Sequence, residues 1–214
     1  MTNQALTPAA SPALQQDEKH SFAADFIATL YPVSERYKEI LHERGVSRKL
    51  KKGELLVRKG EICTFVAFIK KGLIRGYIEY NTSDITTWIS CENELVTSIT
   101  GFFKGNPAKE NIQAIEQCEI ECLDAKDLAY LYEQCPEQHI VTRLILEKYY
   151  EDAENRALIS RLPSLTEKYK YLEESESYRH ILQRAPLKYV ASFLSVRLET
   201  LSRLRGKKAK ETSK

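Results

Sequence analysis

Apolar residues recur along this chain at two spacings, and each change of spacing marks a change of element. From Phe22 to Leu41 the spacing is helical: Phe22, Phe26, Ile27 and Leu30, then Tyr37, Ile40 and Leu41 after a break at Pro32–Ser34. From Ser47 the runs become short, β-rich and punctuated by glycines and polar turns: KLKKG, ELLVRKG, TFVAFIKKG, LIRGYIEYN, DITTWIS, ELVTSITGFF and NIQAIEQCEIECLD. Turn signals about every ten residues predict an antiparallel sandwich or barrel. Asp124 is placed to cap a helix running through Glu133.

Helical spacing returns at Pro136 and persists to about Arg161, with Ile140, Val141, Leu144, Ile145, Tyr149, Ala153, Leu158 and Ile159 available to pack on the barrel or on a second copy of the chain. Pro163 breaks this helix, and Ser164-Leu-Thr-Glu167 is a capping box for the next, which carries Tyr169, Tyr171 and Leu172. Another short helix is expected around Tyr178–Gln183. The segment from Pro186 to Lys208 then shows two amphipathic periods. Leu187, Val190, Ala191 and Leu194 share one stripe, and Ala191 allows a close helix approach. Ser195 falls in a tight turn, Val196 follows it, and Leu201 and Leu204 point back at the first helix. Glu199, Thr200, Arg203 and Lys207 are left on the outer face, the arrangement of a helix-turn-helix whose second helix enters a major groove.

Charge reinforces this reading. The 214 residues carry only +2 overall, but residues 186–214 hold eight Lys and Arg against Glu199 and Glu211, so the rest of the chain is at −4. Clustered cations, not bulk charge, are what phosphate binding needs. The 43% of hydrophobic residues is enough to build a core. No run approaches the length of a membrane-spanning helix, and residues 1–20 lack a basic start and an apolar signal core, so a cytoplasmic protein with an Ala/Pro/Gln/Ser-rich disordered leader is expected. The five cysteines, 63, 91, 118, 122 and 135, contain no CxxC pair and read as buried reduced thiols, with no metal site.

The predicted fold is α+β: an antiparallel β jelly-roll barrel flanked by helices, a long connecting helix and a C-terminal all-α helix-turn-helix domain. This order, with LKKGELLVRKGE and FIKKGLIRGYI in the barrel and SVRLETLSRLR at the turn into the last helix, resembles the Crp/Fnr family of transcription regulators over roughly residues 25 to 208. The resemblance implies a cyclic-nucleotide-binding-like sensor domain over 21–135, a dimerisation helix over 136–162 and a DNA-binding domain over 163–214. Glycines 53, 60 and 72 stand where the family closes its turns. Glu199, Thr200 and Arg203 match its base-reading triplet, with Glu199 accepting from a cytosine amino group and Arg203 donating twice to guanine. Thr200 or Ser202 would bond a phosphate, and Lys188, Arg197 and Lys207 complete the expected contact set. An intrahelical Glu199–Arg203 pair would pre-orient the arginine. Double-stranded DNA, a second copy of the chain and RNA polymerase are the implied partners, and no membrane is.

Departures from the family pattern are equally informative. The segment Asn93–Gln113 places Thr97-Ser98 where cyclic-AMP binders have Gly-Glu, and Lys109-Glu110 or Glu110-Asn111 near their Arg-Ser. With no arginine between Arg75 and Arg143, Lys109 offers a point charge instead of a bidentate fork, and Glu110 repels an anion. Thr97, Ser98 and Lys109 are therefore candidates for an unidentified small-molecule effector other than cyclic AMP, with no certain cofactor. Only nine polar residues follow Arg205, too polar for the family's wing, so a basic tail is expected to contact the backbone, and Ser195 is expected to cap the second helix one turn early. A cupin-type enzyme is excluded because none of the four histidines, 20, 42, 139 and 180, lies in the barrel segment, and no GxSxG, P-loop or HExxH motif occurs. The alternative is a ligand- or protein-binding module whose helix-turn-helix no longer binds DNA.

Overall fold

The computed structural model describes residues 21–212, and the expected leader over residues 1–20 lies outside them. Two capped helices come first. Ser21 accepts from the Ala24 N–H to start α1 (Phe22–Leu30), and Ser34 accepts from the Tyr37 N–H to start α2 (Glu35–Arg44). Eight strands follow: β1 (Val46–Leu50), β2 (Leu55–Val57), β3 (Phe65–Lys71), β4 (Ile74–Tyr80), β5 (Ser83–Ser90), β6 (Leu95–Val96), β7 (Asn111–Ala114) and β8 (Cys118–Asp124). They form two antiparallel four-stranded sheets, ordered β1-β8-β3-β6 and β2-β7-β4-β5, the two layers of a jelly roll. Gly72 has a φ of 111° and its backbone lies tight against Cys118, so a side chain has no room in that turn.

One run expected to be all strand divides. After β6, residues Ile99–Lys104 form α3 instead of continuing the ladder. Gly105, at φ 64°, closes that helix with its N–H on the Gly101 carbonyl, 2.9 Å away. Asp124 does precede a helix, α4 (Ala125–Gln134), but its side chain makes no capping hydrogen bond. The long helix α5 (Glu137–Arg161) opens after Pro136 as expected. The Ser164 hydroxyl accepts from the Glu167 N–H and donates to the Glu167 carboxylate, fixing the start of α6 (Leu165–Glu174). Then come α7 (Glu176–Arg184), α8 (Leu187–Phe193) and α9 (Leu198–Thr212).

Three apolar clusters organise these elements. The first fills the space between the sheets with residues such as Ile69, Ile74, Trp88, Ile112 and Ile120. The second joins α1, α2, α4 and the front of α5 to Val66, Phe68 and Leu123 on one sheet. In the third, Ile159 and the helices α6 to α9 share a core with Leu73, Ile89, Cys91 and Ile115 around the other sheet. The turn at Leu162–Pro163 separates α5 from α6, yet apolar packing is continuous from the barrel to the last helix. Each fully buried leucine or isoleucine in such a core stabilises by roughly 1.5–3 kcal/mol.

Candidate nucleic-acid interface and barrel interior

The helix pair α8 and α9 has the geometry that its sequence pattern predicts. Val190, Ala191, Leu194 and Leu201 are buried, and Leu201 is fully so. Ser195 adopts φ 57° in the turn, where the Val196 N–H returns to the Ala191 carbonyl at 3.0 Å. A serine pays a steric cost in that left-handed region, and the surrounding helix contacts hold it there. Helix α9 starts at Leu198 after Arg197, so Ser195 shapes the turn and does not cap the helix. The basic segment after Arg205 is not a loose tail: the helix continues through Gly206 to Thr212. Lys208 helps to anchor it, with an ion pair to Glu173 and a cation–π contact to Tyr169, 4.9 Å from the ring centre.

Glu199, Thr200, Ser202, Arg203 and Lys207 are all exposed on α9, and Lys188 and Arg197 are exposed beside it. Among the described residues no ion pair ties Glu199 to Arg203, so the expected intrahelical pair is not made. Both side chains remain in water, where an exposed i,i+4 pair is worth only a few tenths of a kcal/mol.

The expected effector residues do not converge. Thr97 is buried, with its hydroxyl donating to the Phe65 carbonyl at 2.8 Å, and Ser98 is buried before α3. Lys109 is exposed on the loop leading to β7. The interior between the sheets is occupied by the chain's own side chains. The Trp88 indole lies against Gly76, where any Cβ would overlap the ring, and its Nε1 donates to the Glu110 carboxylate at 2.9 Å. Thr87 Oγ1 donates to the same carboxylate at 3.3 Å, and burial pushes the Glu110 carboxyl above its ordinary range.

On the outer face of the same sheet sits an arrangement that sequence reasoning missed. Arg75 of β4 is only 2% exposed and lies between two aromatic rings, 4.0 Å from Tyr77 and 3.9 Å from Tyr189 of α8. Its donors reach Gln113 at 3.0 and 2.9 Å, Thr86 at 3.1 Å and Asp84 at 2.9 Å. Next to it, the Ser192 hydroxyl of α8 accepts from the Thr86 N–H and donates to the Asp84 carbonyl, both at 2.9 Å. Strand β5 is a sheet edge, and α8 covers it while satisfying two of its free backbone groups. On α7, Arg184 donates to both oxygens of Glu92 at 2.7 Å and also pairs with Glu116. Burial alone would raise the Glu92 carboxyl, but Arg184 and the Gly72 N–H hold it down at about 2. The first helix of the helix-turn-helix is thus locked to the barrel by polar contacts as well as by the shared core.

All five cysteines are buried and free. Burial pushes the Cys91 and Cys122 thiols to about 12 and Cys118 to about 11, which keeps them protonated and unreactive. Among the described residues no group of His, Cys, Asp or Glu is placed to hold a metal ion, and no helix is long and apolar enough to cross a membrane.

Comparison with known proteins places this geometry. The cyclic nucleotide-binding domain family matches residues 47–135. No curated protein matches the sequence. Among solved structures, FixK2 from Bradyrhizobium japonicum superposes with a TM-score of 0.64 at 13% identity, covering 78% of this chain and 86% of its own. The c-di-GMP-responsive global regulator CLP from Xanthomonas campestris gives 0.64 at 14% identity, covering 84% and 93%. A crp/fnr-family transcriptional regulator from Eubacterium rectale gives 0.63 at 16%, covering 85% and 88%. Residues 47–135 are therefore similar to the cyclic nucleotide-binding domain family, and the chain shares its fold with FixK2, CLP and the crp/fnr-family regulator.

Proposed function

We propose that this protein is a DNA-binding transcription regulator that reads a pseudo-palindromic site as a homodimer. The observation that carries this reading is the exposed face of α9. Glu199, Thr200, Ser202, Arg203 and Lys207 point to solvent from a helix whose opposite side is fixed by buried Leu201. A carboxylate and a guanidinium one helical turn apart, both unpaired among the described residues, suit major-groove base edges, and the flanking cations suit phosphates. Two such helices about 34 Å apart would meet successive major grooves.

Helix α5 supports the dimer. Leu146, Tyr150 and Leu158 are exposed along it, and Leu146 and Tyr150 border a shallow groove of about 540 Å³ with Tyr132 and His139. Exposed apolar side chains on a long helix suit contact with a second helix of the same kind. The filled barrel interior argues against cyclic AMP as the effector: Trp88 occupies the space, Glu110 is engaged by Trp88 and Thr87, and Lys109 faces outward. RNA polymerase, as a further partner, follows from the regulator reading alone.

Salt dependence tests the nucleic-acid part. Affinity for random duplex DNA should fall roughly a thousandfold between about 50 and 200 mM salt if the dimer neutralises about six phosphates. A response flat in salt would instead favour a binding module whose helix-turn-helix has no DNA partner.

A further inference from the structure

A cavity of about 270 Å³ lies where the β5–β6 side of the barrel, with Trp88, Val96 and Thr97 in its wall, meets α1, α5 and α7. Its apolar wall includes Leu30, Leu95, Leu144 and Ile181. Its charged lining comes from Glu94, Lys148, Asp152 and Arg156. Lys148 and Asp152 neutralise each other at 3.0 Å, one turn apart on α5. Glu94 is half-buried and receives a hydrogen bond from the Cys91 thiol, and desolvation raises its carboxyl above the ordinary range. The nearby carboxyl of Glu110 is already engaged by Trp88 and Thr87. Among the described residues Arg156 is the lining cation without an ion-pair partner; it lies 5.8 Å from the Tyr149 ring centroid and within electrostatic reach of the Glu110 carboxyl. The tyrosines Tyr149 and Tyr178 complete the lining on that side and are also raised by burial, so neither supplies an anion.

We propose that this cavity binds a small carboxylic acid with an apolar body, its carboxylate held by Arg156 and its body lying against the leucine and isoleucine wall. An apolar cleft with one well-placed polar group is the usual construction of a small-molecule site. A guanidinium matches a carboxylate with two parallel hydrogen bonds, which a neutral head group does not reproduce. The walls come from the barrel, the long helix and α7 of the C-terminal helices together, so an occupant would stabilise their docked arrangement over any alternative. As a binding site the assignment stands apart from DNA recognition. As an effector site it rests on the regulator reading.

Calorimetric titration of the full chain with sodium octanoate, and separately with octanamide of the same length, tests it without DNA. Octanoate should bind saturably at one site per chain, and octanamide about tenfold or more weaker. Arg156→Gln, at a partly exposed helix position, should weaken octanoate about tenfold while leaving octanamide unchanged. Leu144→Trp, which fills the cavity, should abolish binding of both, with circular dichroism confirming that each variant is folded. Equal affinities for the two ligands, no saturable octanoate binding, or an Arg156→Gln variant that binds octanoate like the parent would each overturn the proposal. None of these outcomes alters the salt-dependence result, so the two readings fail separately.

Discussion

Trp88→Ala should destabilise the protein by about 3–5 kcal/mol, read as a shift in the urea-unfolding midpoint at unchanged slope. The indole lies between the two sheets among Ala67, Val96, Ile112 and Ile120, where its removal opens a cavity that stiff strands cannot collapse to fill. It also leaves the half-buried Glu110 carboxyl without its nearer donor. The opposing position is a glycine, Gly76, which has no side chain to swing into the vacated space. In the parent protein the same filled interior should leave the melting temperature unmoved by cyclic AMP. A loss of less than about 1 kcal/mol on Trp88→Ala, or a cyclic-AMP shift of several degrees, would mean that the interior is not held as described.

Arg75→Met should cost about 2–4 kcal/mol and should act at the join between barrel and helices. Methionine keeps much of the apolar stem but removes every donor. Gln113, Thr86 and Asp84 then lose their shared partner, and Tyr77 and Tyr189 lose the cation between them. Asp84 is half exposed and recovers water, which keeps the cost below that of a stranded buried charge. Hydrogen exchange should locate the effect: backbone amides of α8 and of β5 near Thr86 should open faster, while those of β3 and β8 stay protected. Uniform loss of protection across both sheets would show that Arg75 supports the barrel itself and not the docking of α8.

Much of this organisation is legible in the sequence because it rests on local periodicity. The capping box at Ser164, the opening of α5 after Pro136 and the α8–α9 stripe all follow from spacing and cap chemistry. The α3 helix escaped because Thr97-Ser98 and adjacent Phe102 and Phe103 read as a continuing strand, and only the left-handed Gly105 closes the turn. Arg75 and Ser192 escaped for a different reason. Their partners are far along the chain, and an arginine in IRGYIEY gives no sign of which helix will stack on it. Thr97, Ser98 and Lys109 are effector candidates only by position in a family pattern, and position does not say that Thr97 turns to the Phe65 carbonyl while Lys109 faces water. Glu110 reads from sequence as an anion repellent, and its actual partner, Trp88, lies 22 residues away on β5.

The central claim is that the α9 face reads DNA bases. It is tested most directly by selecting a preferred duplex from a random pool and comparing the parent protein with Arg203→Ala on that duplex and on a scrambled one. The expected result is a loss of about 1–3 kcal/mol on the selected site, confined to one base position in each half-site, with little change on the scrambled duplex. If Arg203→Ala binds both duplexes with the parent's affinities, or if no duplex is enriched at all, the α9 face does not read bases and the regulator reading is contradicted.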